Sequence, residues 1–590
     1  MNKAQTNLLY TVMPVDPSGH RLEVTLTVPH PNPEGQEFDL PAWIPGSYLI
    51  RDFSRQIERI QARAGKRDAA IQKLDNHRWR CAPVAGPLTL TYCVYAYDLS
   101  VRGAHVDESH AFFNGTSVFL RPSGHEHLPC LVKLLAPPHT RQWKVYTSLP
   151  EAVGHPDAAR RHGFGMYRAP DYDALIDHPV EMGTPQVVQF KAHGAVHEMV
   201  FTGVAPNLDL ARIAADTQRI CEAQIAFFDP GHHRAPFLDS SDRYVFLTML
   251  TGDGYGGLEH RAGTALLATR HHLPVQGVPD AGEGYCGFLG LVSHEYFHTW
   301  HVKRIKPAAF VPYDLARENH TRLLWVFEGF TSYYDDLMLL RSGVISEEQY
   351  LKLLGKTIAA VHRAPGRHKQ SIAQSSFDAW TRYYKQDENS PNALVSYYTK
   401  GALAALGLDL LIRDRTQGAA SLDDVMRLLW SRFGQGFYRE DPQGIAEDAM
   451  PDLIHEATGV DVRHFIDRYV EGCDDIPLEP LLATEGLTLQ WKPAGPGPSL
   501  NVRLRSDHGE TVIATAYEGG AAHLHGLSAG DMLVAVNGLR VTDAASVDRL
   551  LGAYQPGQTV DVHVFRRDEL RAFRVTLQAA PVTECTIKRA

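Results

Sequence analysis

The chain has 590 residues, a length that fits about three to four domains and several hydrophobic cores. With 58 Lys and Arg against 68 Asp and Glu it is mildly acidic, which argues against nucleic acid and anionic membranes as partners. It has no run of about 18 apolar residues and no signal-peptide core, so we expect a cytoplasmic protein. The seven cysteines are scattered without C-x-x-C pairs, which favours reduced thiols over disulfides or a thiolate zinc site.

In chain order, the predicted elements form four segments of a multidomain α+β protein. Residues 1–175 consist of short alternating runs separated by turn residues, which predicts an N-terminal antiparallel β domain. Residues 176–345 mix helical periodicity with the buried strand RYVFLTML, which predicts an α/β segment. Residues 346–486 are helical and open on a capping box at Ser346. After the linker WKPAGPGPS, residues 487–582 return to short strands and form a separate β module.

A metal-binding pattern lies in the stretch SHEYFHTWHVKR, where His294, Glu295 and His298 match H-E-x-x-H. On a helix, histidines four residues apart share one face, where two imidazoles can bind one zinc ion. His301 lies two turns from His294, so an ion bound by His294 and His298 would reach it only with strain. We therefore interpret His301 as a supporting or structural residue. The pattern is not decisive by itself, because the chain has 30 histidines and chance matches occur.

A catalytic zinc site needs a third protein ligand, and Glu328 is the best candidate. It stands in the apolar stretch LLWVFEGFTSYYDDLMLL, where a carboxylate is costly unless it is paired or binds a metal. A glutamate at an exposed helix end is the alternative, and His320 is a weaker rival ligand. Asp335 follows two turns later and would orient a ligand imidazole, although a solvated acid fits equally well. A His2Glu set predicts one Zn²⁺ per chain, with a bound water of pKa near about 7.

Four motifs in order carry a resemblance to a known family. HEYFH, followed thirty residues after its second His by the Glu of WVFEGF, resembles the gluzincin metallopeptidases. GGLEH at 256–260 is similar to the G-x-M-E-N motif of M1 aminopeptidases, and YTKG at 398–401 to their Y-E-K-G. With PAWIPGSYLIRDF at 41–53 and a C-terminal PDZ-like module, the chain resembles the M61 glycyl aminopeptidases over essentially its whole length. The resemblance implies a thermolysin-like catalytic region and a zinc aminopeptidase that prefers Gly or Ala.

The resemblance also implies roles for the catalytic residues. Glu295 would take a proton from the zinc-bound water and deliver it to the leaving amine. Tyr398 would donate its phenol proton to the tetrahedral oxyanion, with packing in an aromatic core as the alternative. Its neighbour Tyr397 is the residue most easily mistaken for it.

For substrate binding, the resemblance points to Gly256, Gly257 and Glu259. Glu259 would pair with the free α-ammonium of the peptide, so that only the first peptide bond meets the zinc. The alternative is a solvated glutamate in a glycine-rich loop. The motif ends in His260 and has Leu258 where M1 enzymes have Asn and Met, so the geometry of amine capture differs from theirs.

The C-terminal stretch GLSAGDMLVAVNGLRV, residues 526–541, looks like the turn and strand pair of a PDZ domain. PDZ domains bind extended peptides by strand addition, so a peptide or protein ligand is one expectation, and a packing or gating module is the other. For the whole chain, two rival functions remain. One is a zinc endopeptidase for which Glu259 is unimportant, and the other is a PDZ-based scaffold with a vestigial protease body. The intact Glu295 argues against the scaffold.

Overall fold

A computed structural model describes residues 7–138, 140–279, 282–439 and 442–589. The chain forms two compact units that interleave along the sequence. The first consists of Met1–Asn319, Tyr334–Ile345 and Met426–Ala446, and the second of His320–Tyr333, Ser346–Val425 and Glu447–Ala590. In the described residues, no helix has the length and hydropathy of a membrane span. The domain boundaries expected from the sequence, which divide the chain into residues 1–175, 176–345, 346–486 and 487–582, remain predictions.

The N-terminal part of the first unit is a β domain. Its long strands alternate buried and half-buried residues, as expected for strands with one face on a core. The largest sheet is ordered Gly165–Ala169, Cys130–Leu134, Leu8–Asp16, Arg21–Val28, Leu88–Tyr95, Ile57–Ala64, Arg67–Ala69. Two smaller sheets are ordered Lys144–Tyr146, Val180–Gly183, His110–Phe113, Ala104–Val106 and Arg121–Pro122, Glu37–Asp39, Arg78–Cys81, Ile71–Lys73. Among the described strand pairs of these three sheets, Leu8–Asp16 and Cys130–Leu134 are parallel and the others are antiparallel. The predicted antiparallel β domain is therefore confirmed.

A mixed five-stranded sheet follows in the first unit and supports the site. Its order is Gln186–Ala192, Ala195–Thr202, Arg243–Thr251, Gly263–Thr269 and Tyr255–His260. Arg243–Thr251 is buried over its first eight residues, which confirms RYVFLTML as a strand covered on both faces. Tyr255–His260, called the edge strand below, ends this order and pairs antiparallel with Gly263–Thr269.

The helices within the first unit are Tyr172–Ile176, Leu210–Phe228 and Gly282–Phe297. We call Gly282–Phe297 the motif helix, since its last turns contain the first residues of H-E-x-x-H. It packs against the edge strand and against Gly263–Thr269. This packing brings the metal motif and the GGLEH motif together.

The second unit is mainly helical. Helices lying wholly or partly in it are Leu324–Phe327, Gly329–Arg341, Glu347–Arg363, Ile372–Phe377, Ser390–Ala393, Thr399–Thr416, Leu422–Leu429, Met450–Thr458, Arg463–Tyr469 and Leu478–Thr484. The predicted capping box is confirmed, because the Ser346 hydroxyl accepts from the Gln349 backbone and the Gln349 side chain accepts from the Ser346 backbone.

The C-terminal part of the second unit is a small β module with its own core. Its main sheet contains Val502–Asp507, Glu510–Ala516, Met532–Val536, Leu539–Arg540, Thr559–Arg566 and Glu569–Thr576. The short helices are Ala521–Leu524 and Ala544–Leu551. Two further strand pairs join the ends of the module, Pro498–Ser499 with Gln578–Ala579 and Leu487–Pro493 with Val582–Arg589. Fifteen buried apolar residues, including Leu500, Ile513 and Leu577, fill its core, and the fold confirms the predicted PDZ-like β domain.

Candidate active site

The two histidines of the H-E-x-x-H motif face each other at the C-terminal end of the motif helix. His294 lies in the last turn, and His298 follows the helix with its backbone N–H 3.2 Å from the His294 carbonyl. Their Nε2 atoms are 3.1 Å apart. Two nitrogen ligands on one tetrahedral zinc ion lie about 3.4 Å apart, so the pair fits a zinc ion with little movement.

Each imidazole is held in place through its other nitrogen. The Nδ1 atom of His294 lies 3.0 Å from Oδ2 of Asp335, and Nδ1 of His298 lies 2.6 Å from the His301 carbonyl. These contacts place the ring proton on Nδ1 and leave both Nε2 lone pairs for a metal. Burial raises the pKa of the Asp335 carboxyl, against the opposing hydrogen bond from His294. His301 therefore supports the site through its backbone carbonyl, in agreement with its predicted supporting role.

Two buried carboxylates lie beside the histidine pair. One ligand atom from each of Glu259, Glu295 and His298 lies within 4.8 Å of the other two. Glu259 is 4% exposed and sits on the edge strand, so the alternative of a solvated loop residue is wrong. Its Oε1 atom has no hydrogen-bond partner in the described part of the chain. A buried carboxylate in that state is costly unless a cation binds beside it.

Two glycines give these carboxylates their room. A Cβ atom at Gly257 would lie 2.0 Å from Oε1 of Glu295. A Cβ atom at Gly46, in the PAWIPGSY segment, would lie 2.4 Å from Oε2 of Glu259, and its φ of +92° also favours glycine. By contrast, a Cβ atom at Gly256 would meet Arg102 at 3.9 Å, an ordinary contact.

A buried ionic network anchors the C-terminal end of the edge strand. Nδ1 of His260 lies 3.0 Å from Oδ1 of Asp177, Arg261 donates to Oδ2 at 3.0 Å, and Lys303 donates to Oδ1 at 2.9 Å. Although burial raises it, the Lys303 charge and the His260 hydrogen bond hold the pKa of Asp177 well below its ordinary value. The sequence carried no signal for this network, since Asp177 lies 83 residues from His260 and 126 from Lys303.

In the second unit, Glu328 joins the helices Leu324–Phe327 and Gly329–Arg341 and is 2% exposed. The alternative of an exposed helix end is therefore wrong. Glu328 lies near a tyrosine cluster that consists of Tyr383, Tyr384, Tyr397 and Tyr398. Burial raises the pKa of Tyr383 and of Tyr397, and the charge of Glu328 raises both further. This burial agrees with a carboxylate that binds a cation.

Within the tyrosine cluster, Tyr398 and Tyr397 differ in their exposure to solvent. Tyr397 is fully buried, whereas Tyr398 is half-buried and its hydroxyl lies 3.3 Å from that of Tyr384. Tyr398 is the more accessible of the two tyrosines, which agrees with the prediction that it is the donor. The sequence contains no signal for Tyr384, since RYYKQ matches no motif. His320 is exposed, and its Nδ1 donates to the Phe377 carbonyl at 2.9 Å, a surface role unlike that of a metal ligand.

Comparisons with known proteins agree with this arrangement. The family model of the Peptidase M61 N-terminal domain matches residues 9–184, the M61 glycyl aminopeptidase model matches 287–404, and the PDZ domain model matches 498–577. A search of curated protein sequences finds no match.

Solved structures extend the comparison to the whole chain. An aminopeptidase N family protein from Idiomarina loihiensis is 40% identical, with 99% of this chain and 98% of that chain covered and a TM-score of 0.93. An M1 zinc metallopeptidase from Deinococcus radiodurans is 14% identical, with 80% and 95% covered and a TM-score of 0.49. The first match, together with the three family models in order, shows that the chain belongs to the M61 glycyl aminopeptidase family and is a peptidase of the aminopeptidase class.

Proposed function

We propose that the protein removes a small N-terminal residue, Gly or Ala, from peptides with a free N-terminus. The observation that supports this most directly is the buried carboxylate of Glu259 beside Glu295 and His298. The α-ammonium of a peptide is a cation that pairs with such a carboxylate through charge-assisted hydrogen bonds. With the ammonium held there, the first peptide bond lies next to Glu295.

The proposed ligands of one zinc ion at this site are His294, His298 and Glu328. The facing Nε2 atoms of the histidines support the first two. Glu328 is supported by its burial and by its spacing from Asp335, which hydrogen-bonds to His294. The two acids are seven positions apart on helical backbone, and residues two turns apart share one face. A bound zinc ion supplies a water of lowered pKa and polarises the substrate carbonyl.

The protein's own residues would then handle the protons and the charge. Glu295 accepts a proton from the attacking water and passes it to the nitrogen of the leaving peptide. Tyr398 donates its phenol O–H to the oxyanion of the tetrahedral intermediate, the position at which negative charge develops. Gly256 and Gly257 on the edge strand offer backbone groups to an extended substrate, and Gly257 keeps the approach to Glu295 open.

The preference for small residues is supported by the segment around Gly46. Its close approach to Glu259 leaves little room beyond the ammonium position. Trp43 and Tyr48 of the same segment are at most 1% exposed, so their rings are packed in the core and give the segment a rigid support. A long first side chain would need this segment to move, and an endopeptidase would need the cleft to continue past it.

The remaining assignments have coarser support. The PDZ domain is proposed to bind an extended peptide or protein segment. Seven free cysteines support a reducing, cytoplasmic location.

The test compares one Ala-initiated peptide with its N-acetyl form, in wild type and in Glu259→Ala. We expect wild type to cleave the free peptide and to leave the acetylated one intact, because acetylation removes the positive charge. Glu259→Ala should lose most of its preference for the free peptide, whereas Glu58→Ala, at an exposed salt bridge with Arg21, should keep it. Equal cleavage of both peptides by wild type would contradict the exopeptidase assignment.

A further inference from the structure

A second cluster of metal-ligand residues lies in the N-terminal β domain, on the hairpin formed by Ala104–Val106 and His110–Phe113. His105 and Glu181 both pair with Phe112, from the strands on either side of it. Because side chains alternate along a strand and paired residues share a face, these two point to the same side as His110. Four polar side chains meet on that face: His105, Asp107, His110 and Glu181.

The distances within this cluster suit one small cation. Nε2 of His105 lies 3.1 Å from Oδ2 of Asp107, close to the separation of about 3.4 Å between two ligands on a tetrahedral zinc ion. One ligand atom from each of His105, Asp107 and His110 lies within 4.8 Å of the other two. The two imidazole centroids are 5.1 Å apart.

The contacts around the cluster hold its members in place. Nδ1 of His110 lies 3.1 Å from Oε1 of Glu181, so the carboxylate orients this ring and leaves Nε2 for a metal. Oδ1 of Asp107 accepts from the backbone and hydroxyl of Ser109 and from the His110 backbone, which leaves Oδ2 directed to His105. The turn therefore presents Asp107 in one orientation.

Burial makes the cluster costly without a cation. The His105 and His110 side chains are 7% and 9% exposed, and Glu181 is 2% exposed. Nδ1 of His105 has no hydrogen-bond partner among the described residues. Two buried or partly buried carboxylates beside two buried imidazoles favour a bound dication.

We propose that His105, Asp107 and His110 bind a second zinc ion, with Glu181 as the positioning residue for His110. Imidazole and carboxylate ligands in this number suit Zn²⁺ among the biological divalent cations. The ion would tie the two strands of the hairpin together, and the contact between His110 and Glu181 would link it to the strand Val180–Gly183, which would stabilise the β domain. This site is additional to the one zinc per chain proposed at the H-E-x-x-H motif, and it does not rest on the proposed activity.

The test counts zinc in the full-length protein after loading with excess Zn²⁺ and removal of free metal. We expect two zinc ions per chain in wild type and one in His105→Asn/His110→Asn, with wild-type peptidase activity retained by the double variant. His127→Asn, an exposed histidine of the same β domain, is the matched control and should keep two. Glu181→Gln should weaken zinc binding at this site by about 10- to 100-fold.

A second protein keeps the result decisive if the double variant fails to fold. His294→Ala/His298→Ala removes the catalytic histidine pair and should still bind one zinc ion, which should raise its Tm by several degrees. If this variant binds no zinc while wild type binds one, the second site does not exist. If wild type and the catalytic variant both bind two zinc ions, the catalytic site lies elsewhere, and the zinc count of His105→Asn/His110→Asn decides the β-domain site: one ion supports it and two ions overturn it.

Discussion

Three acids of the proposed active site, Glu259, Glu295 and Asp335, lie in different surroundings. Glu259 and Glu295 lie together beside His298, yet Glu259 faces the Gly46 segment and Glu295 faces Gly257. Asp335 contacts Nδ1 of His294, on the side of the ring opposite the Nε2 atom that is proposed to bind zinc. The same carboxylate chemistry is therefore proposed to serve amine capture in Glu259, proton transfer in Glu295 and imidazole orientation in Asp335.

At the residue scale, Tyr398→Phe should lower kcat by roughly a hundredfold and change KM little, because its hydroxyl is proposed to act on the oxyanion. Tyr397→Phe removes a buried hydroxyl from the neighbouring ring and should change kcat less than about threefold. Steady-state kinetics on an Ala-initiated peptide measures both. The reverse order would show that Tyr397 is the donor.

Lys306 gives a prediction for the pH dependence of stability. Burial lowers its pKa from 10.5 to about 7, and its ammonium lies over the rings of Tyr313 and Phe437 at 4.5 and 4.8 Å. Between pH 7 and 10.5 the unfolded chain binds the proton more tightly than the folded one, so this residue's destabilisation is complete below pH 7 and fades as pH rises.

Lys306→Met should therefore raise the free energy of unfolding most near pH 6, with a gain over wild type of at most about 5 kcal/mol. The gain should shrink as pH increases to 10. Urea unfolding of both proteins at a series of pH values measures this difference. A gain that is independent of pH would show that Lys306 keeps an ordinary pKa.

At the element scale, local sequence signals predicted elements but not their partners. The capping box at Ser346 and the apolar run of Arg243–Thr251 depend on near neighbours, and both are confirmed. The alternative that places Glu259 in a glycine-rich loop is wrong, because GGLEH belongs to the edge strand, which pairs with Gly263–Thr269. Pairing with a neighbouring strand stabilises this segment as a strand, although its two glycines have a low intrinsic preference for strand conformation.

The C-terminal module should be separable only at the right boundary. The strand Val582–Arg589 packs on the helix Glu347–Arg363 so closely that a Cβ atom at Gly355 would lie 2.7 Å from the Cys585 carbonyl. The PDZ core between Leu500 and Leu577 is filled by its own residues.

Replacing residues 500–577 by a short glycine-rich turn should leave hydrolysis of a dipeptide within about threefold of wild type, because the strand pair beneath it remains. Deleting everything from Leu487 exposes the covered face of Glu347–Arg363 and should lower Tm by many degrees or make the protein insoluble. Thermal unfolding and dipeptide assays compare the two. Equal stability of both deletions would contradict this division.

At the scale of the whole molecule, the sequence indicates the candidate catalytic residues better than it indicates the residues that pack around them and hold them in place. His294, His298, Glu295 and Glu259 were predicted from motifs whose spacing is short. The contributions of Gly46 and Asp177 depend on residues more than 80 positions away, and one sequence contains no signal for such contacts. The order of the motifs along the chain is sufficient to indicate the family, because this order can be read from the sequence without knowing any distance in the fold.

The most direct test of the account measures zinc content and turnover on the same samples of wild type, Glu295→Gln and His294→Ala. Glu295→Gln keeps the shape of the side chain and both histidines, so it should hold as much zinc as wild type while turnover falls at least about a thousandfold. His294→Ala should lose one zinc ion and turnover together. Glu295→Gln with turnover near that of wild type, or His294→Ala with the full zinc content, would contradict a zinc peptidase that uses this motif.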